Sequence, residues 1–278
     1  MWCYETLHPN VKLGIKGKVL CKKKTNHQNC LICENKEFGK VLFLDQTIQT
    51  TEADEHIYHE MMVHPLLLAH PNPQTALVVG GGDGGVIREL FKHPVKEVVM
   101  VEVDKTVIDL SKKYLPKISK GSFSDKRLGL IIDDGAKYLE ETPKEFDIVI
   151  VDSPDPVGPA KTLFSKKFYR QISQKLKSNG IMIRQTGSTF LQSKVLKNNY
   201  RRIKEVFPLS FIQLASIPTY TGGHFSFVIG SKKINFTKVS KKRIKQNYLK
   251  LNLKTKYYNP GIQFGALQLP NNLMRLVR

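Results

Sequence analysis

The chain has 278 residues with 44 Lys and Arg against 24 Asp and Glu, a formal net charge of +20, and 41% hydrophobic residues. That balance can fill a buried core and excludes a disordered chain, and no run approaches the roughly eighteen apolar residues of a membrane span. The opening MWCYETLHPN has no basic stretch followed by an apolar run, so no secretory signal is read and the expected location is the cytoplasm.

Residues 1–50 carry short apolar alternations broken by turn signals. They predict a small antiparallel β unit from Val19–Cys21, Asn29–Glu34 and Lys40–Leu44, with a turn at Lys36–Gly39. Cys30-Leu-Ile-Cys33, with His27 just upstream, matches half of a zinc site, but no second Cys pair or His pair follows. These cysteines read as small core residues, and no metal is expected. Apolar residues at helical spacing predict a helix over Glu55–His70, ending before Pro71-Asn72-Pro73.

From Thr75 the pattern changes to repeated strand–helix units. Strands are predicted at Ala76–Gly80, Glu97–Val103, Leu128–Asp133, Phe146–Asp152, Gly180–Gln185, Phe211–Ser216 and Phe225–Gly230. Helices are predicted at Val86–Lys92, Lys105–Tyr114, Lys137–Glu141, Ser165–Lys177 and Gln192–Val206. Apolar strands alternating with helices imply a parallel sheet covered on both faces. The last two strands are joined by a segment too short for a crossover helix, so they should pair antiparallel at or near an edge. The Lys-rich tail from Lys232 reads as a helix and an extended terminus.

A charge of +20 first suggests a nucleic-acid partner. Its distribution argues otherwise. Residues 1–155 carry net −3, and residues 156–278 carry net +23 with the single acid Glu205. Of the cations, 35 are Lys and 9 are Arg, whereas phosphate and base-edge recognition favours the Arg fork. A site built on carboxylates must come from the first half, and no nucleic acid is required.

In a doubly wound sheet, ligands bind beyond the C-terminal strand ends. The first strand runs into Gly80-Gly81-Gly82-Asp83-Gly84-Gly85, and Glu102 closes the second, 22 residues after Gly80. Asp133-Asp134-Gly135 closes the third, and Asp152-Ser-Pro-Asp155 the fourth. The glycine spacing alone would suit a dinucleotide. Asp83 inside the loop opposes that, because a carboxylate there would face the pyrophosphate as a like charge. With a sulfonium nucleoside the sign reverses: Glu102 can accept ribose hydroxyls and Asp134 the adenine amino group. Acids at strand ends also serve as helix N-caps, a role that suits Asp104 and Asp133, and Asp155 before Pro suits a turn.

Taken with Phe38-Gly39-Lys40, Gln49-Thr-Thr-Glu52, Tyr58-His59-Glu60-Met61, Gln185, Ile217-Pro218-Thr219-Tyr220 and Tyr257-Tyr258-Asn259, these residues resemble the polyamine aminopropyltransferases of the bacterial type, nearly end to end. The resemblance implies a small N-terminal antiparallel β domain, residues 1–54, and a methyltransferase-like Rossmann domain, residues 55–278, with a seven-stranded, mostly parallel sheet. It implies aminopropyl transfer from decarboxylated S-adenosylmethionine, a co-substrate and not a cofactor, to putrescine. By motif, Gln28, Gln49, Gly80, Gly82, Glu102, Asp134, Gly135 and Pro159 would hold the nucleoside. Asp83, Asp155 and His59 would hold the amine, Tyr58 and Tyr220 would line its channel, and Asp152 would accept the proton. Self-association as a dimer or tetramer is implied as well.

The residue types suit that chemistry. An alkyl amine with a pKa near 10 is protonated at neutral pH and must lose a proton to attack. Alternatives are a different acceptor (agmatine, cadaverine or spermidine), an S-adenosylmethionine-dependent methyltransferase, and a non-catalytic polyamine or nucleic-acid binder. Pro154, Gly187-Ser188 and Gln263-Phe-Gly265 depart from the family pattern and bear on the choice of amine, while leaving the core acids in place.

Overall fold

The structure, a computed structural model, describes residues 1–154 and 162–277. The N-terminal residues form two antiparallel sheets. Strands β1 (Trp2–His8) and β2 (Val11–Lys16) make a hairpin, and β3 (Lys18–Lys24), β4 (Asn29–Asn35), β5 (Gly39–Leu44) and β6 (Thr47–Thr51) make a four-stranded sheet in chain order. The three predicted strands fall inside β3, β4 and β5. The others escape pattern reading because their buried positions are not a run of alternating apolar residues: β1 buries Glu5 beside Cys3, β6 buries Thr50 and Thr51 beside Ile48, and in β2 only Ile15 is fully buried. Cys30 and Cys33 do not converge. Three residues apart on β4, they enter different clusters, Cys30 beside Leu44 and Val107 and Cys33 beside Val41 and Phe43. Burial pushes both thiols up to about 12, so they stay protonated.

Helix α1 (Glu55–Ala69) is buried along nearly its whole length. It contains Pro65, which cannot donate to the carbonyl four residues back. The freed Met61 carbonyl instead accepts from Gln213 Nε2 at 2.9 Å, so a side chain restores the missing bond.

The strand–helix units follow as β7 (Thr75–Gly80), α2 (Gly85–Leu90), β8 (Glu97–Glu102), α3 (Lys105–Tyr114), α4 (Pro116–Ser119), β9 (Leu128–Ile132), α5 (Gly135–Glu141) and β10 (Phe146–Asp152). Then come α6 (Lys166–Lys175), β11 (Leu176–Ser188), α7 (Ser193–Lys204), β12 (Leu209–Ala215) and β13 (Phe225–Ser231). The sheet order is β12-β13-β11-β10-β7-β8-β9, parallel from β11 to β9, with β13 antiparallel to both of its neighbours. Alternate strand residues feed opposite faces. Val78, Ile148 and Ile183 pack beneath α1, α2 and α8, and Val79, Val149 and Met182 pack against α5, α6 and α7.

The order reverses between β7 and β10, where Gly80 pairs with Asp152, and a crevice opens above that switch point. The N-terminal sheet closes one side of it by packing Ile32, Leu42 and Leu44 against Val107, Leu110 and Leu115. The tail departs from expectation. It forms α8 (Lys241–Lys250), α9 (Pro260–Gly265) and α10 (Asn271–Leu276) and is not extended at its end. The short α9 is started by Asn259, whose side chain accepts from the Gly261 and Ile262 amides, with Pro260 in the first turn. Among the described residues, no helix is long and apolar enough to cross a membrane.

Candidate active site

The end of β7 folds back over the end of β10. Gly80 has φ +86°, and a Cβ there would lie 2.0 Å from the Asp152 carbonyl oxygen, so only glycine allows this approach. The Gly81 amide donates to that carbonyl at 2.9 Å. The loop is thereby tied to the strand carrying Asp152, which brings Asp83 and Asp152 to one spot. Asp83 Oδ1 accepts the Gly85 amide at 2.8 Å.

Helix α1 supplies the third side. The Tyr58 hydroxyl donates to Asp152 Oδ1 at 2.6 Å, and His59 Nε2 lies 3.3 Å from Asp83 Oδ2. His59, Asp83 and Asp152 present ligand atoms within 4.8 Å of one another, a spacing that would fit a metal ion. The donor chemistry favours an ammonium. His59 Nδ1 is also engaged, 2.6 Å from Glu55 Oε2, and carboxylates at both ring nitrogens hold the imidazole charged, leaving no lone pair for a metal.

Electrostatics separate these groups. Burial works against charge on His59, but Asp83 and Glu55 outweigh it and raise its pKa to about 10. For Asp83, burial acts upward, while the His59 cation and the Gly85 amide hold it below the usual carboxylate range. Asp152 moves the other way. Burial and the neighbouring Asp83 charge raise it to about 6, against the opposing pull of His59 and Tyr58. Two adjacent carboxylates thus divide into one favoured as the anion and one able to exchange a proton near neutrality.

The opposite part of the same cavity is suited to a nucleoside. Glu102 stands at the tip of β8, with Oε1 accepting the Asp104 amide at 3.0 Å. Burial raises its carboxyl to about 7. Gln28 reaches in from the N-terminal sheet and donates to Asp104 Oδ2 at 3.1 Å. Asp104 itself caps α3 by accepting the Thr106 amide. Gln49 lines the wall, and its backbone carbonyl accepts from the Tyr220 hydroxyl. The Tyr58 and Tyr220 rings meet edge to face at 6.0 Å, making an aromatic side to the channel.

Of the residues picked from sequence, Gln28, Gln49, Tyr58, His59, Gly82, Asp83, Glu102, Asp152 and Tyr220 line this one cavity. Gly80 acts beneath it through the Asp152 contact. Asp134 and Gly135 are not brought into the wall. Asp134 is the N-cap of α5, accepting from the Ala136 and Lys137 amides, the role the sequence suggested for its neighbour Asp133. Gly135 lies so close to Val79 that a Cβ would meet its Cγ1 at 2.4 Å, so it permits close helix–strand packing. Asp155 and Pro159 lie outside the described residues.

The cavity also contains residues to which motif reading gave no role. Glu5, on β1, is buried at its wall and accepts the Ile48 amide. Gln185 lines it too and donates to the Ser153 carbonyl at 3.0 Å, while its Oε1 is buried with no hydrogen-bond partner among the described residues. Glu5 sits in a strand with no motif, so the only available hint was that the acids cluster in the first half of the chain.

Comparison with known proteins shows which family the chain resembles. Residues 55–241 match the family model described as spermine/spermidine synthase domain, and residues 1–52 match that of the spermidine synthase tetramerisation domain. A polyamine aminopropyltransferase of Caldicellulosiruptor bescii is 42% identical over 280 residues, spanning 100% of this chain and 98% of the relative. One from Bacillus subtilis is 41% identical over 280 residues, spanning 100% and 99%. Among solved structures, a spermidine synthase in complex with the transition-state analogue AdoDATO matches with a TM-score of 0.95 at 36% identity, covering 100% of this chain and 94% of that one. The spermidine synthase of Thermotoga maritima matches at 0.92 and 35%, with the same coverage.

Proposed function

Because this chain belongs to the spermine/spermidine synthase family and is a polyamine aminopropyltransferase, we propose that its reaction is transfer of the aminopropyl group of decarboxylated S-adenosylmethionine to putrescine, giving spermidine and 5′-methylthioadenosine. The amine nitrogen attacks the aminopropyl carbon next to the sulfonium. The carbon–sulfur bond breaks, its electrons neutralise sulfur, and the proton lost from nitrogen passes to Asp152.

The observation that carries this reading is the Asp83–Asp152 pair beside Tyr58. An ammonium with a pKa near 10 would surrender its proton to an ordinary carboxylate across about six pKa units, or about 8 kcal/mol. Raising Asp152 to about 6 removes about a third of that gap, while Asp83 stays anionic to hold the cation. The remainder falls as the nitrogen bonds to carbon in the transition state. The leaving thioether is neutral, so alignment of nitrogen, carbon and sulfur carries most of the acceleration.

Glu102 accepts the ribose hydroxyls in this scheme, Gln28 and Gln49 flank the nucleoside, and Asp134, Gly135 and Pro159 complete its site in the family pattern. Asp83 and Asp155 bind the amine ends, and His59 and Tyr220 line the acceptor channel. The N-terminal match supports assembly as a dimer or tetramer. Four free cysteines fit a reducing cytoplasm.

The test is incubation with decarboxylated S-adenosylmethionine and a panel of putrescine, cadaverine, agmatine and spermidine, with methylthioadenosine and the elongated amine quantified. The highest kcat/KM is expected with putrescine. A higher value with another amine would reassign the acceptor, and methyl transfer from S-adenosylmethionine without aminopropyl transfer would overturn the reaction.

A further inference from the structure

Behind the amine subsite runs a chain of charged side chains that the transfer chemistry does not itself use. Arg88, on α2, grips Glu55 with two parallel bonds, Nη1 to Oε1 and Nη2 to Oε2, both 2.8 Å. Glu55 Oε2 also meets His59 Nδ1 at 2.6 Å, and His59 Nε2 faces Asp83. The guanidinium is itself fixed elsewhere, by Glu89 Oε1 at 2.6 Å and the Ile118 carbonyl at 2.6 Å. Glu89 is held in turn by His64 at 2.9 Å and Lys92 at 2.6 Å. Arg88 and Glu55 are 8% and 7% exposed, so this pairing is shielded from screening.

We infer that Arg88 and Glu55 are positioning residues for the amine subsite, fixing the orientation and charge of His59 so that it presents Nε2–H to Asp83. The inference rests on the aminopropyltransferase reading of that subsite. Neither residue touches substrate. Because Arg88 does not release a proton, the chain is a brace and not a proton wire. A bidentate guanidinium fixes the plane of the Glu55 carboxylate, which a point charge cannot do. Glu55 then fixes the imidazole plane, and Gly85 leaves room for it.

The charged and titratable groups around His59 come from four places. They are Glu55 and Tyr58 on its own helix, Asp83 in the glycine loop, Arg88 on α2, and Asp152 on β10, with Tyr220 beyond Tyr58. The imidazolium lies 3.3 Å from Asp83 and within 4.8 Å of Asp152, where its charge moderates the repulsion between these two carboxylates. Without the Glu55 anion, His59 loses its proton nearer neutrality, and Asp152 then faces an unmoderated Asp83 charge. The pH at which Asp152 becomes a competent base moves upward.

The experiment follows the imidazole by 15N NMR, with the His59 signal assigned by its absence from His59→Gln, together with the pH profile of kcat/KM for the amine. His59 of the wild-type protein is expected to remain doubly protonated from pH 6 to 9. In Glu55→Gln it should titrate within that window, and the acid limb of kcat/KM should move up by about one pH unit, a loss of about fivefold at pH 6 that narrows toward pH 8. Arg88→Lys, which keeps charge and loses the fork, should shift both less. A wild-type His59 titrating near its ordinary value overturns the inference, even if neither variant folds. So does Glu55→Gln with an unshifted limb and an unchanged imidazole, which would mark a purely structural role. If the wild-type protein transfers no aminopropyl group, the functional reading fails, while the titration still decides the brace.

Discussion

The imidazole of His59 rests on Gly85: a Cβ built at that glycine would lie 2.2 Å from His59 Cε1 and 2.3 Å from Nδ1. The last glycine of the loop is therefore the floor of the proposed amine subsite as well as the first residue of α2. Its φ is not in the left-handed region, so its requirement is space. Gly85→Ala should displace His59 from Asp83, raise the amine KM at least tenfold, and destabilise the fold by about 1–3 kcal/mol through overpacking. Steady-state kinetics and thermal unfolding check both effects, and an unchanged KM would show that His59 placement is unimportant.

Asp152→Asn should lower kcat by about 10²–10⁴-fold while leaving nucleoside affinity within a few-fold of wild type, since proton acceptance alone is removed. Single-turnover kinetics and calorimetry with methylthioadenosine separate the two. Near-normal turnover at pH 7 would remove Asp152 from the base role.

The same substitution should stabilise the ligand-free protein in a pH-dependent way. Asp152 has a folded pKa raised to about 6, above its ordinary value, so the folded state holds that proton more tightly than the unfolded chain. Its stabilising contribution is present in acid and is lost as pH rises through about 6. Removing the ionisable group should therefore change stability little at pH 4 and raise it by at most about 3 kcal/mol at pH 8. Denaturant unfolding at both values reads the difference, and equal effects at the two pH values would contradict the site's electrostatics.

Glu102 gives a separate pH signature. Its carboxyl is raised to about 7, and its ionised form is the better acceptor for two hydroxyls. Methylthioadenosine affinity should weaken as pH falls from 8 to 6. Glu102→Gln should flatten that dependence and cost about 10–100-fold in affinity at pH 8. Titration calorimetry across this range decides it.

The charge distribution predicts a salt effect opposite to that of most cation-binding sites. The proposed acceptor is a dication approaching a protein of net charge +20, and its capture would rely on the local focus of Asp83, Asp152 and their cavity neighbours. Raising ionic strength screens the outer repulsion more than the enclosed attraction. The putrescine KM should fall, or stay level, between 20 and about 200 mM salt; a steep rise would show that long-range attraction dominates.

Much of the site was legible because glycine and acid spacing is local. The loop from Gly80 to Gly85 and Glu102 each follow a strand whose apolar run is plain, and strand ends of one sheet lie side by side. Roles that depend on partners were not legible. Asp134 caps α5 through its Oδ1, a role that the sequence suggested for its neighbour Asp133. Arg88 and Glu55 are unremarkable in sequence, because 33 residues separate two groups that meet only when α1 packs on α2.

The sequence by itself determined the alternation of strands and helices, the antiparallel edge, the placement of acids in the first half and, through the family resemblance, Asp152, Tyr58 and Tyr220 as candidate catalytic residues with Asp83 as a candidate amine ligand. Those follow from short-range periodicity and from motifs a few residues long. The tertiary structure decided which carboxylates share a charge environment. Asp83 ionises easily and Asp152 reluctantly because of burial, a cation three ångströms from one of them and a phenol on the other. Such differences arise from distances across the fold, and no spacing along a chain encodes them.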